Sequence, residues 1–143
     1  MTSIKGLSNA LAQKLSPRGL LAIDSVGALG TATVHGLILP RFGSAFGVPV
    51  QAFHALAITA ALYCLYSATM AIVNPTRWPV AVRLIATANA LFVSATLVLL
   101  VVFRAQVTAL GVAYFMVEAV LVLAIAVFEW RYTLKPPPTL DSP

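Results

Sequence analysis

The sequence predicts an all-α, membrane-embedded protein: an antiparallel, up-down four-helix bundle with both termini cytoplasmic. Three observations predict it. Of 143 residues, 60% are hydrophobic and only 9% charged, with mean hydropathy +0.94, whereas a soluble domain carries roughly a quarter charged residues. Four apolar runs each reach the length of about 20 residues that a helix rising 1.5 Å per residue needs to cross a bilayer. The connections between them are short, which forces neighbouring spans to run antiparallel.

Residues 1–19 form a basic N-terminal segment. Ile4, Leu7, Leu11 and Leu15 recur at three- and four-residue steps while Lys5, Lys14 and Arg18 lie off that stripe, the pattern of a short helix resting on a membrane surface. It does not read as a cleaved signal peptide, because the apolar run that follows contains Asp24 and lacks a small-residue cleavage site. The first span is expected over 20–39, closed by Pro40. A glycine-rich connector, Arg41 to Pro49, carries Phe42 and Phe46 and leads into the second span, 50–73. Asn74 to Pro79 is a turn with two prolines and the interfacial Trp78. The third span follows over 80–103 and the fourth over 110–130. Beyond Trp130 the chain runs through Pro136-Pro137-Pro138 to an acidic end, expected to be extended and solvated over 131–143.

The loops set the orientation. Lys5, Lys14, Arg18, Arg77, Arg83, Arg131 and Lys135 fall on one side, and only Arg41 and Arg104 on the other. Positive residues mark the cytoplasmic face, so the chain is expected in the cell inner membrane, multi-pass, with both ends inside. The nine Lys and Arg are dispersed rather than clustered, which argues against nucleic acid as a partner. A single cysteine, Cys64, excludes an internal disulfide and a cysteine-based metal cage. No His-x-x-x-His pair or comparable ligand spacing occurs, so neither a metal nor a cofactor is expected.

The polar residues within the spans are the candidate site. Ionised side chains at mid-bilayer cost about 2.5–3.5 kcal/mol on insertion scales, so each needs a partner, a proton or a wet cavity. Glu118, near the middle of the fourth span, is the most demanding. Successive residues turn through about 100°, which puts Asp24, Gly27, Ala28, Thr31 and His35 in one sector of the first span. The small residues there are expected to admit a close neighbouring helix. In the third span Arg83, Thr87, Ala90 and Ser94 share a face, with Asn89 and Thr96 about 120° away. In the fourth, Gly111, Tyr114, Glu118, Ile125 and Glu129 share one. Depth predicts an Asp24–Arg83 ion pair one turn inside the cytoplasmic boundary. It also offers Glu118 a hydrogen bond from Asn89 or from His35. Thr31 and Tyr114 complete the intramembrane cluster, His54 is a candidate at the outer boundary, and Glu129 is expected to be solvated at the cytoplasmic edge. Tyr63 and Tyr66 read as packing residues.

Four stretches, Ile23-Asp24-Ser25-Val26-Gly27-Ala28, Leu39-Pro40-Arg41-Phe42 to Phe46-Gly47-Val48-Pro49, the Asn89 region in IATANALF, and Leu110 to Glu118, resemble a small family of uncharacterised bacterial four-span membrane proteins. The resemblance covers about residues 20–132 and implies a fold and a set of polar positions, without an activity.

Three functions fit these residues. The first is a non-catalytic small membrane protein, as a homo-oligomer or a subunit of a larger membrane complex. Second is a proton- or cation-linked small-solute transporter using Glu118 in an oligomer. The third is a membrane enzyme acting on a lipid or isoprenoid, with Glu118 as acid or base and His35 or His54 as its counterpart. No nucleophile motif or phosphate loop supports catalysis. A lipid-filled cavity opening laterally beside Glu118 would favour the third function, and a bundle packed solid there the first.

Overall fold

The computed structural model describes residues 16–134. Among them there are only helices and turns: α1 (Pro17–Thr33), α2 (Gly43–Phe46), α3 (Val50–Val73), α4 (Trp78–Val102) and α5 (Ala109–Tyr132). A π-helical turn, Val34–Ile38, and a 3-10 turn, Leu39–Phe42, carry α1 into α2. The run Pro17–Phe46 and helices α3, α4 and α5 are each long and apolar enough to cross a membrane. The surface-lying segment expected over 1–19 falls outside the described residues except for its end, which instead opens α1. The tail from Lys135 onward also falls outside them.

Local signals fix the helix ends. Ser16 caps α1 by accepting a hydrogen bond from the Gly19 amide, with Pro17 at the first helical position where its missing N–H costs nothing. Thr108 caps α5 in the same way through the Gly111 amide. Asn74 ends α3 in the left-handed conformation, which Asn tolerates better than most residues. The glycine-rich connector differs from the loop expected: it is helical, because Pro40 ends the regular ladder without forbidding a tighter turn.

Helix α1 packs along α3 and α4 along α5, and the two pairs meet through thinner contacts of α4 with α3 and α1. Two apolar clusters close the ends. One, at the connector end, gathers Leu39, Phe46, Phe53, Leu56, Phe92 and Phe115. The other, at the end holding residues 16 and 134, gathers Leu20, Leu21, Ala71, Val82, Ile85 and Tyr132. The outward surface is apolar as well, with Ile72, Val26 and Val101 among its most exposed residues. Such a surface suits a bilayer better than water.

The connector is locked onto the start of α5. The Thr108 amide donates to the Phe46 carbonyl (3.1 Å) and its hydroxyl to the Ala45 carbonyl (2.6 Å). Gly47 (φ +68°) and Gly111 permit this approach: a Cβ on Gly47 would overlap the Gln106 carbonyl, and one on Gly111 the Phe46 carbonyl. Gly27 is the reverse case, with nothing within 4 Å of the place its Cβ would occupy. Gly47→Ala should therefore cost about 1–3 kcal/mol through overlap and left-handed strain. Gly27→Ala should be neutral or stabilise by up to about 1 kcal/mol. Thermal unfolding of the two variants in one detergent checks both signs.

Candidate functional site

The stripe of small residues on α1 meets no close neighbour. Asp24, Gly27, Ala28 and Thr31 instead line a cleft of about 990 Å³ between α1 and α5. Its volume lies at the upper end of the range for small-molecule sites. Its rim carries Ile23, Leu110, Val117 and Leu121, all more than half exposed, so the cleft opens sideways. Phe46, edge-on to Tyr114 with ring centroids 5.5 Å apart, lies at the connector end.

Two polar groups of side chains border this cleft. The first takes one residue from each long helix. Asn89 Nδ2 on α4 donates to Asp24 Oδ1 on α1 (2.9 Å) and to Glu129 Oε2 on α5 (3.1 Å). Ser67 on α3 donates its hydroxyl to Asp24 Oδ2 (2.5 Å). The shared Asn89 amide brings the carboxyls of Asp24 and Glu129 together. Glu129 and Ser67 are fully buried, while Asp24 and Asn89 are each 7% exposed. Glu129 Oε1 has no partner.

The second group lies toward the connector. His35, fully buried in the π-turn, places Nδ1 3.1 Å from the Thr31 carbonyl and Nε2 3.4 Å from Glu118 Oε2. A carbonyl can only accept, so Nδ1 carries a hydrogen. Nε2 then faces the Glu118 carboxyl, the acid of the set that has an imidazole within reach. The 3.4 Å separation is long for a hydrogen bond, and both atoms lack any closer partner. The ring sits among Phe53, Phe92, Tyr114 and Phe115, with centroids 6.0–6.3 Å away. The Tyr114 hydroxyl, one turn before Glu118, lies beside the same carboxyl.

Several expectations need correction. Asp24 and Arg83 do not pair. Arg83 is on the exposed face of α4, where Nε donates to Thr133 Oγ1 (3.1 Å) and the guanidinium lies 5.9 Å from the centroid of the Trp130 ring. Asn89, about 120° round the helix, takes the interior place instead. Asn89 consequently serves Asp24 and Glu129, and Glu118 is left to His35. Glu129 is not a solvated edge residue but the most enclosed acid of the set. His54 is exposed in the first turn of α3 and joins neither group. Among the described residues no Lys or Arg lies within ion-pair distance of Asp24, Glu118 or Glu129, and none form a cluster of three or more metal-ligating side chains.

Glu129 and Ser67 went unrecognised, although a signal for Glu129 exists. Asp24 and His35 are eleven residues apart, as are Glu118 and Glu129. Eleven residues make three turns plus about 20°, or about 16 Å of rise. Two antiparallel helices with that spacing bring Asp24 level with Glu129 and His35 level with Glu118. Ser67 has no such signature. Comparison with protein-family models, curated proteins and solved structures finds no match.

Asn89→Leu should cost about 1–3 kcal/mol by stripping two buried carboxyls of their shared donor. Adding Glu129→Gln should recover part of that loss, since an amide restores a donor. Arg83→Gln should change stability by no more than about 1 kcal/mol, as for an exposed group. Unfolding free energies of the single and double variants in lipid-detergent mixtures check all three.

Proposed function

We propose that the chain is a multi-pass protein of the cell inner membrane, with both termini cytoplasmic, whose cleft binds a membrane-soluble amphiphile carrying one positive headgroup. The observation that carries this reading is an apolar, sideways-open cleft bordered by three carboxyls with no Lys or Arg in reach among the described residues. Apolar walls suit a hydrocarbon chain that arrives from the bilayer. Carboxyl oxygens accept hydrogen bonds and attract cations, so the headgroup they select is a donor or a positive charge. Asp24 and Glu129 are the acids that line the cleft and have no base within reach among the described residues. The head therefore lies at the end holding residues 16 and 134, with the tail directed toward Phe46. Such a protein is non-catalytic and acts as a binding or carrier protein.

The contact of Glu118 with His35 supports a second reading, acid–base chemistry on a lipid or isoprenoid chain lying in the same cleft. Recovery of the amphiphile unchanged after prolonged incubation separates the first reading from the second.

Two measurements test the proposal. Purified protein in lipid nanodiscs should bind dodecyltrimethylammonium in preference to the uncharged alcohol of the same chain length, by about tenfold or more, the equivalent of 1.4 kcal/mol. Ala28→Phe should block both by filling the cleft. Equal affinity for cation and alcohol, or binding indifferent to Ala28→Phe, would remove the basis of the reading. For orientation, reporter fusions after residue 134 should be active only in the cytoplasmic form. A fusion in the connector near Ser44 should be active only in the periplasmic form.

A further inference from the structure

The two polar groups differ in how they meet their charge. Glu118 has the His35 imidazole beside it. Asp24 and Glu129 have no basic partner: the side chains facing them from the other helices are Ser67 and Asn89, with Tyr63 on the same cleft. On their own helices, the ionisable groups toward this end are Arg18 on α1 and Arg131 on α5, both exposed, and Tyr132, three residues beyond Glu129 and about 60° round the axis. Arg83 itself, on the helix of Asn89, is engaged with Thr133 and Trp130. One amide can donate to both carboxyls but cannot offset two negative charges. Paired carboxylates held together away from water retain a proton between them. Glu129 Oε1, buried and unpartnered, supplies an oxygen for it.

From this geometry we infer that Asp24 and Glu129 share one proton while the cleft holds no cation, and that a bound cationic headgroup displaces it, one proton for each ligand. The inference rests on the reading of the cleft as a site for a cationic amphiphile. In the exchange the O–H bond of the acid pair breaks, its electrons stay on the carboxylate oxygen, and the proton passes to water. The pair with its occupant carries one net negative charge before and after. No oxidant, reductant or second substrate is needed. Acid must then weaken binding, because protons and the ligand compete for the same oxygens.

The test uses the full chain in nanodiscs and dodecyltrimethylammonium, whose charge is independent of pH. Titration calorimetry in two buffers of different ionisation enthalpy should give one proton released per ligand bound. Infrared difference spectra should show the carbonyl stretch of a protonated carboxylic acid in the free protein and its loss on binding. Glu129→Gln should abolish both signals, and Asp24→Asn provides the same comparison if that variant does not fold. In Glu118→Gln, one proton should still be released for each ligand that binds. Binding without proton release, or a free protein without the acid carbonyl signal, overturns the inference and leaves the cation-site reading intact. Failure of the wild type to bind the ammonium compound overturns both.

Discussion

Two buried acids held by one amide constrain this bundle more than any other contact. Inside a bilayer the usual force that gathers helices is missing, because acyl chains are as apolar as the leucines and valines they touch. What remains is shape and polar contact. Asp24, Ser67, Asn89 and Glu129 come from α1, α3, α4 and α5 respectively, so this single node ties all four long helices in one register. A one-residue slip in any of them would turn its polar group by about 100° and strand the others. The apolar clusters at either end add packing but could be satisfied in more than one register, since Leu, Val and Phe are interchangeable in a way that a donor and an acceptor are not.

The open cleft follows from the same balance. A void of this size in a water-soluble protein would be costly, because nothing would fill it. In a membrane it is filled by hydrocarbon at little cost, and the absence of a hydrophobic drive to close it lets α1 and α5 stand apart. Gly27, Ala28 and Thr31 would admit a helix at close range, but the polar node fixes α1 against α3 and α4 and α5 against α4, leaving the small residues facing empty space. The connector has a complementary role. Through Thr108, Gly47 and Gly111 it clamps onto α5 and holds Phe46 at one end of the cleft, so entry is from the side.

Much of the fold was legible in the sequence. Four apolar stretches bounded by Pro, Asn and Thr gave the helices to within a few residues, since caps and helix breakers act locally. The faces were legible too: the α1 stripe and the α5 stripe do border one cavity. What could not be read was the distance between those faces. Helical periodicity reports direction and is silent on separation, so a stripe of small residues reads equally as a tight contact or a trough. The partners of the charges failed for a related reason. Depth alone matched Asp24 with Arg83, although Arg83 lies about 120° round α4 from Asn89, which faces Asp24. Proximity to Arg131 in the sequence suggested solvent for Glu129, although consecutive residues on a helix diverge by about 100°. The equal eleven-residue spacings would have corrected both.

Those spacings also give the cleft a direction. Both ends carry acids about 16 Å apart along the helices, yet only one end has a base beside its acid. At the connector end, the Thr31 carbonyl fixes a hydrogen on His35 Nδ1 and Nε2 faces Glu118, so the acid there has a base beside it. At the opposite end, Ser67 and Asn89 offer only neutral donors to Asp24 and Glu129. Solvating one carboxylate with such donors is feasible, but two at close quarters require a proton or a cation. On the reading proposed above, an amphiphile with a positive head entering from the side would meet one preferred orientation rather than two, although carboxyls border the cleft along much of its length. The asymmetry comes from where the imidazole is, not from where the acids are.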